Sequence, residues 1–169
     1  MITVFSLSIC ISSDVFVGAV RVVKPDLEIG DNESAIGCVE WSPDNNKIAA
    51  GFTDGTIRIW DWKTSGEIIN FTGHTESVLS LNWSSDSNRI VSGSADGTAK
   101  VWNLDTRDFQ LNFTGHKGSV TDVAWAPQSD IRIASASNDS TVKIWNSETG
   151  SELLTFTNHT GPVRSLSWS

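Results

Sequence analysis

The stretch "NFTGH" occupies positions 70–74, returns unchanged at 112–116, and comes back as "TFTNH" at 155–159. Successive histidines are 42 and 43 residues apart, far too long for a helical heptad and about the size of one small structural unit. The tryptophans keep the same period: Trp41, Trp83, Trp125 and Trp168 are spaced 42, 42 and 43, and Trp60, Trp102 and Trp145 are spaced 42 and 43. The one extra residue falls between Trp125 and Trp145, where "APQSDIRIAS" is one longer than "SSDSNRIVS". An insertion there belongs to a loop and leaves the strands alone.

Within one period the pattern is short and β-like. "VLSLNW" (78–83) alternates, "SSDSN" is a turn, and "RIVSGS" is a second run. "ADGT" is a tight turn on Asp96-Gly97, "TAKVWN" a third run, "LDTRD" a turn, and "FQLNF" a fourth run. Asp-Gly is a hairpin dipeptide because both residues tolerate positive φ, and the runs are filled with Trp, Val, Ile, Thr and Phe, which suit a pleated surface. Four strands of about 5 residues make one antiparallel sheet. No segment sustains a period of 3.6 residues, so almost no helix is expected. The third run places Ile57 and Ile59, Ala99 and Val101, or Val142 and Ile144 on one face and Trp60, Trp102 or Trp145 on the other. Both faces therefore need neighbours, and stacking copies of the unit buries both.

Bulk composition narrows the function. At 169 residues, with 38% hydrophobic and 19% charged residues, the chain has the length and make-up of an ordinary globular domain. Its formal charge is −8 and its basic residues are scattered singly, as at Arg58, Lys100 and Lys143, which argues against a phosphate-tracking surface. A basic peptide suits that charge better. Cys10 and Cys38 do not recur with the period and form no Cys/His ligand set, so neither a disulfide framework nor a metal site is expected. The apolar start "MITVFSLSICISS" lacks the basic flank of a secretory signal, and no run reaches the ~18 apolar residues of a membrane span. Reduced thiols and the absence of a signal point to the cytoplasm or nucleus. Six N-x-S/T matches (Asn32, Asn70, Asn82, Asn112, Asn138, Asn158) include the repeated "NFT" itself and follow from the motif rather than from glycosylation.

Gly-His, then Asp-Gly, then Trp-Asp at this spacing resembles the WD-repeat β-propeller family over residues 27 to 169. The copies read "GH" at 73 and 115 and "NH" at 158, "DG" at 54 and 96 and "DS" at 139, "WD" at 60 and "WN" at 102 and 145. The resemblance implies an all-β propeller of four-stranded antiparallel blades, read as part of a larger ring of about seven. Blades are expected at 35–73, 74–115 and 116–158, a degenerate or partial blade at 1–34, and the first strand of a further, truncated blade at 159–169. It also implies one buried hydrogen-bond network per blade: His74, Ser92, Asp96 and Trp102 in one, His116, Ser135, Asp139 and Trp145 in the next. The blade ending at Trp60 has Ala50 in place of Ser92 and Asn32 in place of His74, so its network should be incomplete, although Asp54 and Trp60 remain.

Ser, His and Asp together invite a hydrolase reading. A nucleophile has no reason to be duplicated at a fixed period, and no Gly-rich phosphate loop, H-E-x-x-H or G-x-S-x-G occurs. No catalytic residue, cofactor or metal is expected. Binding, by resemblance, uses the rim where each first strand enters: Ala35, Gly37, Thr53; Ser77, Leu79, Ala95; Ser119, Thr121, Asn138; Pro162, Arg164. The expected partner is a protein or peptide, basic in character, with no nucleic acid and no membrane. The uncovered end blades are expected to meet the rest of the same propeller or to self-associate. The leading expectation is a non-enzymatic interaction scaffold; the alternative is an accessory propeller of a longer enzyme or signalling protein.

Overall fold

The computed structural model describes residues 34–127 and 131–168. The degenerate or partial blade expected at 1–34 lies almost wholly outside the described residues. Among the described residues all twelve regular elements are strands: β1 (Ile36–Trp41), β2 (Lys47–Phe52), β3 (Ile57–Asp61), β4 (Glu67–Phe71), β5 (Val78–Trp83), β6 (Arg89–Ser94), β7 (Ala99–Asn103), β8 (Asp108–Phe113), β9 (Val120–Trp125), β10 (Arg132–Ser137), β11 (Val142–Asn146) and β12 (Glu152–Phe156). They form three antiparallel four-stranded sheets, β1–β4, β5–β8 and β9–β12, each a simple meander in chain order.

Turn chemistry places the hairpins. Gly55 and Gly97 sit at φ 84° and 81° in the β2–β3 and β6–β7 turns, while the third copy forces Ser140 to φ 69° at the same point. A side chain there crowds the following carbonyl, so the third hairpin carries strain that the first two avoid.

The sheets stack face to face. Cys38, Ala49, Ile57, Ile59, Ile69 and Phe71 of the first sheet meet Val78, Leu81, Trp83, Ile90 and Trp102 of the second. Val91, Ala99, Val101 and Phe113 of the second sheet meet Val120, Val123, Trp125, Ile133 and Trp145 of the third. Both interfaces use the same positions, which is why a period of 42 or 43 residues generates a repeating core.

The glycine of the opening motif has a packing reason. A Cβ on Gly73 would come within 3.1 Å of the Trp102 ring, and one on Gly115 within 2.5 Å of Trp145. The motif phenylalanine packs against the same indole, Phe71 on Trp102 at 5.1 Å and Phe113 on Trp145 at 5.0 Å between ring centroids. "NFTGH" thus recurs because each blade must lay its last strand and exit loop against the next blade's tryptophan.

Residues 163–168 differ from the expectation of a first strand. They run beside β9, with Thr121 Oγ1 donating to Val163 O at 2.6 Å and Leu166 N to Asp122 Oδ2 at 2.9 Å, and reach the end of β10 where Val163 N donates to Ser137 O at 3.1 Å, but among the described residues they join no ladder.

Candidate functional site

Four elements converge on each buried network. In the second blade His74 enters from the loop after β4, Ser92 from β6, Asp96 from the β6–β7 turn and Trp102 from β7. Trp102 Nε1 donates to Ser92 Oγ at 2.7 Å, Ser92 Oγ lies 2.7 Å from His74 Nε2, and His74 Nδ1 lies 2.8 Å from Asp96 Oδ2. The directions are forced. The Asp96 carboxylate can only accept, so Nδ1 carries the one proton of the neutral ring, Nε2 is left as an acceptor, and the Ser92 hydroxyl, which accepts the indole N–H, donates to it. Asp96 further accepts the Thr75 amide on Oδ2 at 3.1 Å, and on Oδ1 the Thr98 amide at 2.8 Å and hydroxyl at 2.7 Å.

The third blade repeats this arrangement. Trp145 Nε1 to Ser135 Oγ is 2.7 Å, Ser135 Oγ to His116 Nε2 2.7 Å, and His116 Nδ1 to Asp139 Oδ2 2.9 Å. Lys117 N and Thr141 N and Oγ1 complete the Asp139 shell. Burial pushes the His74 and His116 imidazoles below their ordinary value despite the carboxylate beside each, so both rings are neutral. Burial also disfavours the charge of Asp96 and Asp139, but Thr98, Thr141 and the histidines overcome it and hold both carboxyls below the usual range.

The first blade lacks the serine. Ala50 brings no hydroxyl to Trp60, and Asn32 lies outside the described residues. Asp54 still accepts Thr56 N at 2.8 Å and Thr56 Oγ1 at 2.7 Å, and Arg58 comes to 3.6 Å of it while covering the Phe52 ring at 4.6 Å.

The rim residues have a common structural origin. Each inner strand is bulged at one position: pairing skips from Ile36 to Cys38, from Val78 to Ser80 and from Val120 to Asp122. The skipped residues are Gly37, Leu79 and Thr121, all among the positions the sequence analysis expects on the rim. A bulge adds an unpaired residue and re-aims its neighbours. Beside them Ser77 Oγ donates to Thr53 O at 3.2 Å and Ser119 Oγ to Ala95 O at 3.3 Å, so the serines staple each rim loop to the preceding one. Ser77, Leu79, Ala95, Ser119 and Thr121 are half-buried, while Asn138, Pro162 and Arg164 are exposed.

Sequence reasoning missed a second polar network. Ser80 Oγ donates to Asp122 Oδ1 at 2.8 Å, and Asp122 Oδ2 accepts Leu166 N at 2.9 Å. Asn82 Oδ1 accepts Trp125 N at 2.8 Å, and Trp83 and Trp168 send their indole N–H groups to the carbonyls of Glu40 and Ala124. Each link joins residues 42 to 44 apart, close to one period, so Ser80 and Asp122, 42 apart, were the signal that could have shown it. Ser80, Asn82 and Asp122 line a cleft of about 220 Å³ between the inner strands. Among the described residues no three His, Cys, Asp or Glu side chains are placed to hold a metal ion.

Comparison with known proteins agrees with this architecture. The family model described as "WD domain, G-beta repeat" matches residues 24–61, 66–103 and 107–146, more than half of the chain. The chain belongs to the WD-repeat family. Among curated relatives, a nuclear distribution protein nudF 2 of Aspergillus clavatus is 32% identical over 59 residues, 35% of this chain and 14% of that protein. The WD-repeat chain thus corresponds to a small part of that relative's length. Among solved structures, a chain of a mitotic checkpoint complex is 26% identical with a TM-score of 0.77, covering 84% of this chain and 45% of that one. The WD40 repeats of RRP9 match at a TM-score of 0.74 and 24% identity, covering 79% of this chain and 42% of theirs. That second likeness speaks for the fold alone.

Proposed function

We propose that this chain is a non-enzymatic interaction scaffold whose blades, 35–73, 74–115 and 116–158, present the bulged rim to a protein partner. The observation that carries the reading is the bulge repeated at Gly37, Leu79 and Thr121. Three blades place the same local irregularity at the same end of the inner strand, where it breaks ladder pairing and leaves one residue's backbone unpaired in the ladder. Arg164 and Asn138 add polar, exposed groups beside it. The chain's charge of −8 favours a basic peptide or protein surface. The relatives' and neighbours' names, a nuclear distribution protein and a checkpoint complex, support work in assemblies of the cytoplasm or nucleus.

A hydrolase made from the Ser-His-Asp sets is disfavoured by burial: Ser92 and Ser135 are both 0% exposed and each is capped by an indole N–H. A fluorophosphonate probe followed by peptide mapping should label neither serine. The rim reading is tested with a photo-crosslinking residue at Leu79 or Thr121 and, as control, at Asp105 on the opposite, outer side. The rim positions should trap one common protein that Asp105 does not. Equal trapping at all three positions, or none from the rim, rejects the rim as the docking face.

A further inference from the structure

Strands β3, β7 and β11 carry one cation each at the same position, Arg58, Lys100 and Lys143, spaced 42 and 43. In the first and third blades a glutamate faces the tryptophan two residues on: Trp60 pairs with Glu67 and Trp145 with Glu152. In the second blade that place belongs to Phe109, opposite Trp102. The exchange changes what the lysine meets. Lys143 Nζ donates to Glu152 Oε2 at 2.7 Å and to Thr155 Oγ1 at 3.1 Å, and Thr155 Oγ1 donates in turn to Glu152 Oε1. Lys100 is 7% exposed, and its ammonium lies 5.3 Å from the centre of the Phe109 ring. Among the described residues no hydrogen bond or ion pair reaches that ammonium.

The glycine before each motif histidine reports the same difference. A Cβ on Gly115 would stand 3.4 Å from Glu152 Oε2 as well as against the Trp145 ring, whereas one on Gly73 would meet the Trp102 ring alone within 4 Å. The second blade thus repeats the third blade's arrangement of exit loop, indole and lysine without a carboxylate between them. Asn112 faces Lys100 in the ladder where Thr155 faces Lys143, so an amide able to donate stands in the hydroxyl's place. Burial pushes the Lys100 ammonium below its ordinary value, and the charge of Asp96 offsets only part of that. A buried cation short of a counter-ion gains more from a carboxylate than an exposed one does. The site belongs to the middle blade, with a sheet stacked on each side of it.

We propose that the outer side of the second blade docks a peptide glutamate, whose carboxylate pairs with Lys100 beside Gly73 and Trp102 while its apolar neighbours rest on Phe109. The third blade supplies the template, because Glu152 rides on an extended strand and is followed directly by Leu153. Charge sets the class of ligand: an unpaired ammonium repels the basic peptide that suits the chain as a whole. Phe109 sets its size. Its ring is 50% exposed and lies edge-on to Trp102 at 6.2 Å between centroids, an apolar contact that a small carboxylate ion cannot use. This site is separate from the bulged rim and does not rest on that reading.

The test follows the lysine itself. In the full chain carrying isotope-labelled lysine, the Lys100 side-chain resonance is assigned by its loss in Lys100→Arg. Titration with the peptide acetyl-Gly-Leu-Glu-Leu-Gly-amide should move that resonance saturably and leave those of Lys63 and Lys117, both exposed, in place. The same peptide with glutamine for glutamate should bind about tenfold more weakly or worse, the loss expected for one charge-assisted hydrogen bond. Phe109→Glu writes the third blade's pair into the second, so the chain's own carboxylate should abolish peptide binding while circular dichroism is retained and the melting temperature holds or rises. Phe109→Ala supplies no carboxylate and should weaken binding without abolishing it. A Lys100 resonance unmoved at millimolar peptide overturns the proposal, as does equal binding of the glutamine peptide, which is measured on the natural chain and needs no variant to fold. Undiminished binding to Phe109→Glu overturns it too. Acetate matching the glutamate peptide in affinity would mark a site for a small carboxylate ion only and rejects the peptide.

Discussion

The first and second blades share strand order, register and hairpin turn, yet differ at their centres. In the second, Trp102, Ser92, His74 and Asp96 form one continuous chain of hydrogen bonds with every proton assigned. In the first, Ala50 stands in place of the serine, and Asp54 is held by Thr56 and Arg58. Both sheets still form, and both bury their tryptophan, Trp60 at 5% and Trp102 at 1% exposure. The blade is therefore built by strand pairing and apolar stacking. The polar chain is an addition whose value lies in satisfying a buried imidazole and indole once they are there.

The largest effect expected on this comparison comes from removing the tryptophan at the interface. Trp102→Ala empties the space between Phe71, His74 and Phe109 and should cost about 3–5 kcal/mol in chemical denaturation. Trp102→Phe keeps most of the apolar volume and should cost clearly less; equal losses would place the contribution in the indole N–H rather than in packing.

Next comes the carboxylate. Asp96→Ala strands the Nδ1–H of a buried imidazole and should cost about 1–3 kcal/mol. Asp54→Ala, which strands no described imidazole, should cost less by the same measurement. A larger loss at Asp54 would erase the distinction between the two blades.

Acidification should separate the blades in a graded way. His74 and His116 are neutral in the fold with depressed pKa values, while the unfolded chain takes up protons near the ordinary value of about 6.5. The unfolded state then binds more protons, so stability is constant above that pH and falls as pH drops below it towards the folded values. The carboxyls of Asp96 and Asp139, also depressed in the fold, remove further stability below about 4. Melting temperature followed from pH 8 to 5 should decline for the natural chain and flatten when His74 and His116 are both replaced by Gln. An unchanged slope would assign the acid sensitivity elsewhere.

The smallest effect is local and of opposite sign. Ser140 occupies the left-handed turn position that Gly55 and Gly97 fill in the other blades. Ser140→Gly should raise stability by up to about 1 kcal/mol by relieving the Cβ clash, offset in part by the greater freedom of glycine when unfolded. Thermal melts of the single variant suffice to check it.

Much of the blade was legible because its causes are local. Asp96-Gly97 dictates a hairpin through backbone geometry alone, and the alternation of "VLSLNW" dictates which side chains share a face. The rim was legible only as positions. Nothing in "SVLSLNW" announces a bulge at Leu79, because a bulge is settled by how two strands fit once paired.

What the sequence by itself determined is the repeating unit: its length, its four strands, its turns and the tryptophan that each copy buries. These follow from dihedral preferences and two-residue periodicity, which act over a few neighbours. What only the tertiary structure decided is how copies recognise each other. The Ser80–Asp122 bond and the hydrogen bonds that run from Ser92 through His74 to Asp96 join residues from separate strands or separate blades. A side chain's partner across such a distance depends on the curvature of the stacked sheets, and that curvature is set by the whole core at once.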